Sequence, residues 1–221
     1  MENLVIYGNG RIAKIVYQYA KEQFNVVAFT VDGDFIQESY VEGLPVLPFA
    51  DIDNSHPPAE HKMLVAVGYV GLNSIREQKY DEAKGRGYQF VNYIHPSVDL
   101  HASTSIGENN IILDHVSVQP YATVGNSNFI WSNAVVAHGC AVRDNCWITS
   151  GVTIAGDSCI GSNVFIGINA TVGHNISIAD HTFIGANCLI SRDSKEKEVY
   201  VSRDSQVHRL DSPRFMEFSG V

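Results

Sequence analysis

The stretch Ile148-Thr-Ser-Gly-Val-Thr-Ile154-Ala-Gly-Asp-Ser-Cys-Ile160-Gly-Ser-Asn-Val-Phe-Ile166-Gly-Ile-Asn-Ala-Thr-Val172 places Ile or Val at every sixth residue. The register runs unbroken through fifteen such positions from Ile106 to Ile190, and Leu100 and Ile94 continue it upstream. A period of six matches neither the ~3.6 of a helix nor the ~2 of a strand, so it marks an internal repeat. Repeats of this length build a β-solenoid, each hexad giving one short strand and one turn, with three hexads closing a triangular coil. The fifteen hexads therefore predict five coils.

The other positions of the hexad agree. A β-branched residue fits an inward strand position and stacks on its equivalents above and below. The next residue is often small, as at Gly107, Gly125, Ala137, Ala155, Gly161, Gly167 and Gly185. Three residues after the buried position Asn recurs, at 109, 133, 145, 163, 169, 175 and 187, with Gly at 139 and 151. Asn and Gly tolerate the positive φ of a tight corner. Two residues before the buried position stand small or aliphatic groups such as Ala122, Ala134, Cys140, Cys146, Val152 and Cys188.

At 221 residues the chain has room for two modest domains. No apolar run approaches a membrane span, and the opening strand-like Leu4 to Gly8 is not a signal peptide, so a cytoplasmic location is expected. The net charge is −9, and Arg143 is the only Lys or Arg within the repeat, which argues against a nucleic-acid partner. The four cysteines show no metal-ligand pairing and read as free core thiols.

Ahead of the repeat, residues 3–8 read as a buried strand that leads into Gly8-Asn-Gly10-Arg11-Ile-Ala13, a G-x-G-x-x-A turn, and then a helix to about Gln23. A second strand from Asn25 to about Thr30 ends at Asp32 and Asp34. A third, Met63 to Tyr69, passes Gly68, and a helix from about Asn73 to Lys84 follows. This is a βαβ unit whose turn suits a phosphate, because backbone N–H groups and a helix N-terminus converge there. About 93 residues precede the repeat, enough for one mononucleotide-binding half rather than the two of an NAD enzyme. A nucleotide or nucleotide-sugar site and a plain βα turn both remain open on this motif.

The repeat is scaffold, so chemistry belongs on its surface or between subunits. His138, two residues after Val136, projects from a coil corner. Acyl transfer from a thioester needs a base near pKa 7, which histidine supplies, and donors for the oxyanion, which backbone N–H groups of corners such as Gly156 supply. A solvated surface role for His138 is the plain alternative. His174 shares its slot two coils on, roughly 9.5 Å away by strand spacing. His115 and His181 take another slot and read as corner residues.

Ala66-Val-Gly68, Asn73-Ser-Ile-Arg76, Ile94-His-Pro96, Ala134 to His138 and Phe165-Ile-Gly-Ile-Asn169 together resemble the bacterial sugar acyltransferases, over about residues 3 to 200. That group includes the sialic acid O-acetyltransferases and the N-acetyltransferases of nucleotide-linked amino-deoxy sugars. The resemblance implies a Rossmann-like βαβ domain (1–93), a left-handed parallel β-helix (94–192) and a tail (193–221). It implies His138 as general base and Gly156 as the N–H that binds the thioester carbonyl. It implies Gly8, Gly10 and Arg11 beside the sugar-nucleotide phosphates, Gly68 at the same site, and Asp32 or Asp34 near base or ribose. Acetyl-CoA would lie between neighbouring solenoids of a homotrimer, along Gly156, Gly167 and Ala186, with direct transfer, no acyl-enzyme and no metal.

Two departures stand out. Gly139 follows His138 where family members carry Glu or Asp, leaving Asp114 and Asp144 as candidate replacements. The family's closing G-x-P-A-type turn is absent, and Tyr200 to Arg209 stands there, with Arg203 and Arg209 as candidate phosphate partners. A zinc hydratase on the same solenoid, similar to γ-class carbonic anhydrase, would use His138 and His174, but its third ligand position is Ala179. A non-catalytic sugar-nucleotide-binding protein is the remaining alternative.

Overall fold

The computed structural model describes residues 1–220. Its N-terminal layer runs β1 (Asn3–Tyr7), α1 (Arg11–Ala20), β2 (Asn25–Val31), β3 (Tyr40–Val41), β4 (Leu44–Pro48), α2 (Ile52–Ser55), β5 (Lys62–Val65), α3 (Ser74–Gly85) and β6 (Gln89–Phe90). The sheet order is β3-β4-β2-β1-β5-β6, parallel except for the β3–β4 hairpin. Leu4, Val5 and Ile6 of β1 form an apolar run because both faces of the strand are covered. Leu4 and Ile6 pack with Ala13, Val16 and Ala20 of α1, whereas Val5 and Tyr7 pack with Phe49, Tyr80 and Ala83.

Several boundaries differ from the sequence reading. The third predicted strand ends at Val65, with Ala66 N–H still donating to Tyr7 O (2.8 Å), and the chain then leaves the sheet. α1 stops at Ala20 and continues to Phe24 as a turn. The hairpin β3–β4 lies in a stretch the sequence left blank. Its strands are short and hold Pro45 and Pro48, but Glu42 and Gly43 both have positive φ (53° and 80°), the geometry of a two-residue hairpin turn. β1 sits between β2 and β5, so the chain reverses direction across the sheet there and leaves a crevice at the strands' carboxyl ends.

From Tyr93 on, two-residue strands pair with residues eighteen positions later, as Ile112 with Ile130 and Ile130 with Ile148. They form three parallel sheets of seven, six and five strands around a prism. The inward column is fully apolar and includes Ile112, Val136, Ile154, Ile166 and Val172, all inaccessible to solvent. Asn109, Asn133, Asn145 and Asn163 turn the corners at φ of 59° to 61°. The solenoid extends past the repeat. Val199–Tyr200 pairs with Phe183–Ile184, so the predicted tail boundary at 192 moves to about 200. Between the last hexad and Val199 the chain forms a cap, in which Asp193 Oδ1 and Ser194 Oγ accept from the N–H groups of Ser177 and Ala179, each at 2.8 Å.

The outward residues of the seven-stranded face are large: Tyr93, Ile111, Phe129, Trp147, Phe165 and Phe183. They join the core of the N-terminal domain, with Tyr69 against Trp147 and Phe165 at 5.4 and 4.9 Å. Arg76 crosses this junction fully buried. Its guanidinium donates to Ser127 O (3.1 Å), Asn145 O (2.8 Å), Cys146 O (3.1 Å) and Asn73 Oδ1 (3.1 Å), and lies 5.4 Å over the Trp147 ring. Burial pulls Arg76 down to about 10, which leaves it charged at neutral pH. The other two faces carry small or polar outward groups such as Ser117, Thr153, Ala141 and Cys159.

Candidate active site

At the crevice of the N-terminal sheet lies a cleft of about 540 Å³ that brings together Gly8, Gly10, Arg11, Asp32 and Gly68, residues widely spaced in sequence. Gly8 has φ +122°, and a Cβ there would stand 2.9 Å from Ala66 O, so only glycine lets β1 turn this closely against β5. Apolar walls come from Val31, Phe35, Val67, Val70 and Ile75. Asp34 is exposed and does not line the cleft. Residues 33–35 form a single 3-10 turn that carries it away and puts Phe35 in its place.

Asp32 is held at the floor. It accepts from Tyr7 OH (3.0 Å) and pairs with Lys79 Nζ (2.8 Å), which also reaches Glu82 (2.7 Å). Burial and then the Asp32 contact push the Tyr7 phenol well above its ordinary range, so it stays a donor. Burial opposes the charge on Lys79, but Asp32 and Glu82 outweigh it and raise its pKa. Lys79 was missed in the sequence because its place on the inner side of α3 shows only once the helix is docked. A second, more polar cavity of about 540 Å³, with Lys14, Gln18, Glu38 and Glu42, adjoins the first through Asn9, Gly10, Arg11 and Phe35.

On the solenoid, His138 is exposed at a corner and Gly156 lies directly beneath it, one coil on. A Cβ at Gly156 would come within 2.5 Å of His138 Nε2 and 2.6 Å of Cε1, so the ring rests on the glycine backbone. Ala155 N–H and Asp157 N–H donate to Val172 O and His138 O at 2.9 Å each, whereas no acceptor among the described residues takes the Gly156 N–H. The corner thus joins an exposed imidazole and an uncommitted backbone donor, the pair that acyl transfer requires.

The two predicted replacements for a carboxylate at position 139 lie elsewhere. Asp114 follows the seven-stranded face, where it accepts from Ser132 Oγ (2.6 Å) and Tyr19 OH (3.4 Å). Asp144, on the third edge, accepts from Asn126 N (2.6 Å). Asp157 is the carboxylate at the His138 corner, with Oδ2 4.0 Å from His174 Nδ1. Gly167 and Ala186 do meet, since a Cβ on Gly167 would fall 2.5 Å from Ala186 N. They sit on the edge between the seven- and six-stranded faces, one edge away from His138. Arg203 and Arg209 lie on the exposed segment beyond Ser202, whose Oγ donates to Ala186 O (2.7 Å).

Cys140, Cys146 and Cys188 are buried and Cys159 is half-buried, all as free thiols. Burial pushes Cys146 up to about 12, so it is not a nucleophile at neutral pH. Among the described residues no three His, Cys, Asp or Glu side chains cluster as metal ligands, and no helix is long and apolar enough to cross a membrane.

Residues 160–192 match the family model of the bacterial transferase hexapeptide (six repeats). The sequence finds no match among curated proteins. The acetyltransferase domain of PglB from Neisseria gonorrhoeae is similar in structure, with TM-score 0.80 and 25% identity over 90% of this chain and 96% of that one. A GDP-perosamine N-acetyltransferase from Caulobacter crescentus, solved as a His-to-Ala variant with CoA and GDP-perosamine, superposes with TM-score 0.82 and 25% identity over 90% and 93%. The PglB domain has also been solved with acetyl coenzyme A, at TM-score 0.75 over 86% of this chain and 92% of that one. In its repeat, its left-handed parallel β-helix and its N-terminal α/β layer alike, the chain has the build of a hexapeptide-repeat acetyltransferase.

Proposed function

We propose that the protein transfers the acetyl group of acetyl-CoA to the amino group of a nucleotide-linked amino-deoxy sugar, in the cytoplasm and in the service of surface-glycan synthesis. The observation that carries this reading is the stacked pair His138–Gly156, an exposed base seated on an unclaimed backbone donor. The N-terminal cleft supports it, because a phosphate turn beside an apolar, part-charged pocket suits a nucleotide diphosphate. The related enzymes' bound CoA and GDP-perosamine point the same way.

In this reading His138 takes the proton of the acceptor amine while the Gly156 N–H receives the developing oxyanion. Gly8, Gly10 and Arg11 hold the diphosphate, Asp32 faces ribose or base, and Gly68 keeps the cleft open. Acetyl-CoA lies along Gly167 and Ala186 of a neighbouring subunit, so the working unit is a homotrimer. Ala186 is exposed and offers a close approach to the ligand, whereas Gly167 is buried against the Gly185–Ala186 backbone of the next coil and shapes the site from beneath. Transfer is direct, within a ternary complex.

Gly156→Ala tests the stacked pair. The new methyl displaces the His138 ring, and a shift of about 1 Å in a reacting group costs on the order of 100-fold in rate. Acetyl transfer falls by that order while the thermal melting curve moves little; an unaltered rate would remove Gly156 from the site.

The reading itself is tested by thiol release from acetyl-CoA with UDP-, dTDP- and GDP-linked amino sugars, and with sialic acid alongside. Turnover on one nucleotide amino sugar supports it. Turnover on sialic acid alone assigns a hydroxyl acceptor instead. Silence across the panel, with no CoA binding by calorimetry, leaves a non-catalytic sugar-nucleotide-binding protein.

A further inference from the structure

We propose that Tyr121 is a specificity-determining residue for the acceptor, its ring supporting the pyranose of the amino sugar beside His138. The inference rests on the reading of His138 as the base and of Gly156 as the donor to the thioester carbonyl.

At every sixth residue from 109 to 187 the solenoid turns a corner at positive φ. The corner residue is Asn, Gly, Ser, Asp or His at every place except Tyr121 (φ 64°). Asn, Asp and His enter the left-handed region several-fold more readily than other side chains, whereas a bulky ring is an outlier there. Tyrosine at this corner is therefore strained, and such strain persists where function needs the side chain. Packing does not need it, since Tyr121 is 75% exposed. Every other aromatic ring from Tyr93 to Tyr200 is buried or half-buried. Among the described residues the Tyr121 hydroxyl makes no hydrogen bond, and its backbone N–H donates to Ser103 Oγ (3.0 Å).

The place of this corner gives the exposed ring its role. Ser117 pairs with Val135 and Thr123 with Ala141, so Tyr121 lies one coil before Gly139 on the edge that carries His138. The two corners are joined, His138 N–H donating to Gln119 Oε1 (3.2 Å) and Gly139 N–H to Pro120 O (3.1 Å). Gly156 lies one coil beyond His138 on the same edge. The thioester therefore occupies the C-terminal side of His138, and the amine approaches from the other side, where Tyr121 stands. Successive coils are about 4.8 Å apart, close to the width of a pyranose. An amine within reach of His138 thus carries its sugar ring over the Tyr121 corner. The carbon-bound hydrogens of a pyranose face, more numerous in a deoxy sugar, meet an aromatic face through dispersion and apolar burial.

Tyr121→Asn and Tyr121→Phe test this on the nucleotide amino sugar that the wild type turns over. Tyr121→Asn raises KM for that sugar about tenfold, the weight of one stacked ring. KM for acetyl-CoA stays within about twofold, because the donor lies on the other side of His138. Tyr121→Phe keeps the ring and stays within a few-fold of wild type. The melting temperature of Tyr121→Asn is level with wild type or higher, since Asn relieves the corner, and its mass in solution is unaltered.

An unchanged acceptor KM, or an equal rise in KM for acetyl-CoA, overturns the proposal. So does a lower melting temperature or a smaller mass in the Asn variant, either of which would make Tyr121 a packing residue between copies of the chain. Each of these results leaves His138 as the base. A wild-type protein silent on every acceptor overturns both readings together.

Discussion

His138→Ala lowers acetyl transfer by roughly 100-fold or more, the loss of a general base, which corresponds to about 2.7 kcal/mol of transition-state stabilisation. The fold does not register the change. His138 is exposed, its ring makes no side-chain hydrogen bond among the described residues, and its backbone contacts survive in alanine. Melting temperature therefore stays near that of the wild type while turnover collapses. KM for acetyl-CoA changes little, because a base acts in the transition state rather than in binding. Measuring thiol release and thermal unfolding on one preparation separates the two effects. A variant within a few-fold of wild type would dismiss His138 as the base and return it to the status of a solvated corner residue.

Ile154→Asp produces the opposite split, with a loss of fold. Ile154 lies at the centre of the inward column with no solvent exposure. The substitution forfeits about 2 kcal/mol of apolar burial and adds several kcal/mol for a carboxylate that must be buried unpaired or protonated. Against a total stability of about 5–15 kcal/mol, the sum leaves little or no folded protein. Ile154→Val, which removes one methylene, costs about 0.5–1.5 kcal/mol and keeps the fold. Soluble expression and a cooperative melt of the two variants side by side decide the matter. A well-folded Ile154→Asp protein would mean that the hexad register does not define the inside of the prism.

The solenoid was legible because its inward positions, its small neighbours and its positive-φ corners each repeat within the chain. His138 and Gly156 stand eighteen residues apart, one coil, so the register puts one above the other, but the sequence reading took their roles from the family resemblance and not from that spacing. What the hexad pattern conceals is anything with the period of a whole coil. The row of large outward residues from Tyr93 to Phe183, aromatic at every place but Ile111, recurs every eighteen residues and marks the face that meets the N-terminal domain, a signal visible only at three times the repeat length. Asp157 went unremarked because its contacts depend on which coil lies next to Gly139 rather than on spacing from His138 in the chain. In the N-terminal domain, Lys79 beneath Asp32 and the exclusion of Asp34 are outcomes of helix docking and of one 3-10 turn, and neither leaves a periodic trace.

The coil-length period of that aromatic row also limits how the gene can grow or shrink. An insertion or deletion of six residues keeps every Ile and Val pointing inward, so the prism still closes. It nevertheless rotates all downstream residues by one face, which moves Trp147, Phe165 and Phe183 out of the domain junction and into water. The same slip carries Gly156 to a different edge from His138 if it falls between them. Only changes of eighteen residues preserve inside and outside together. Length variation among viable descendants of this sequence is therefore expected in whole coils within the solenoid, with shorter changes confined to the loops that precede it and to the segment after Tyr200.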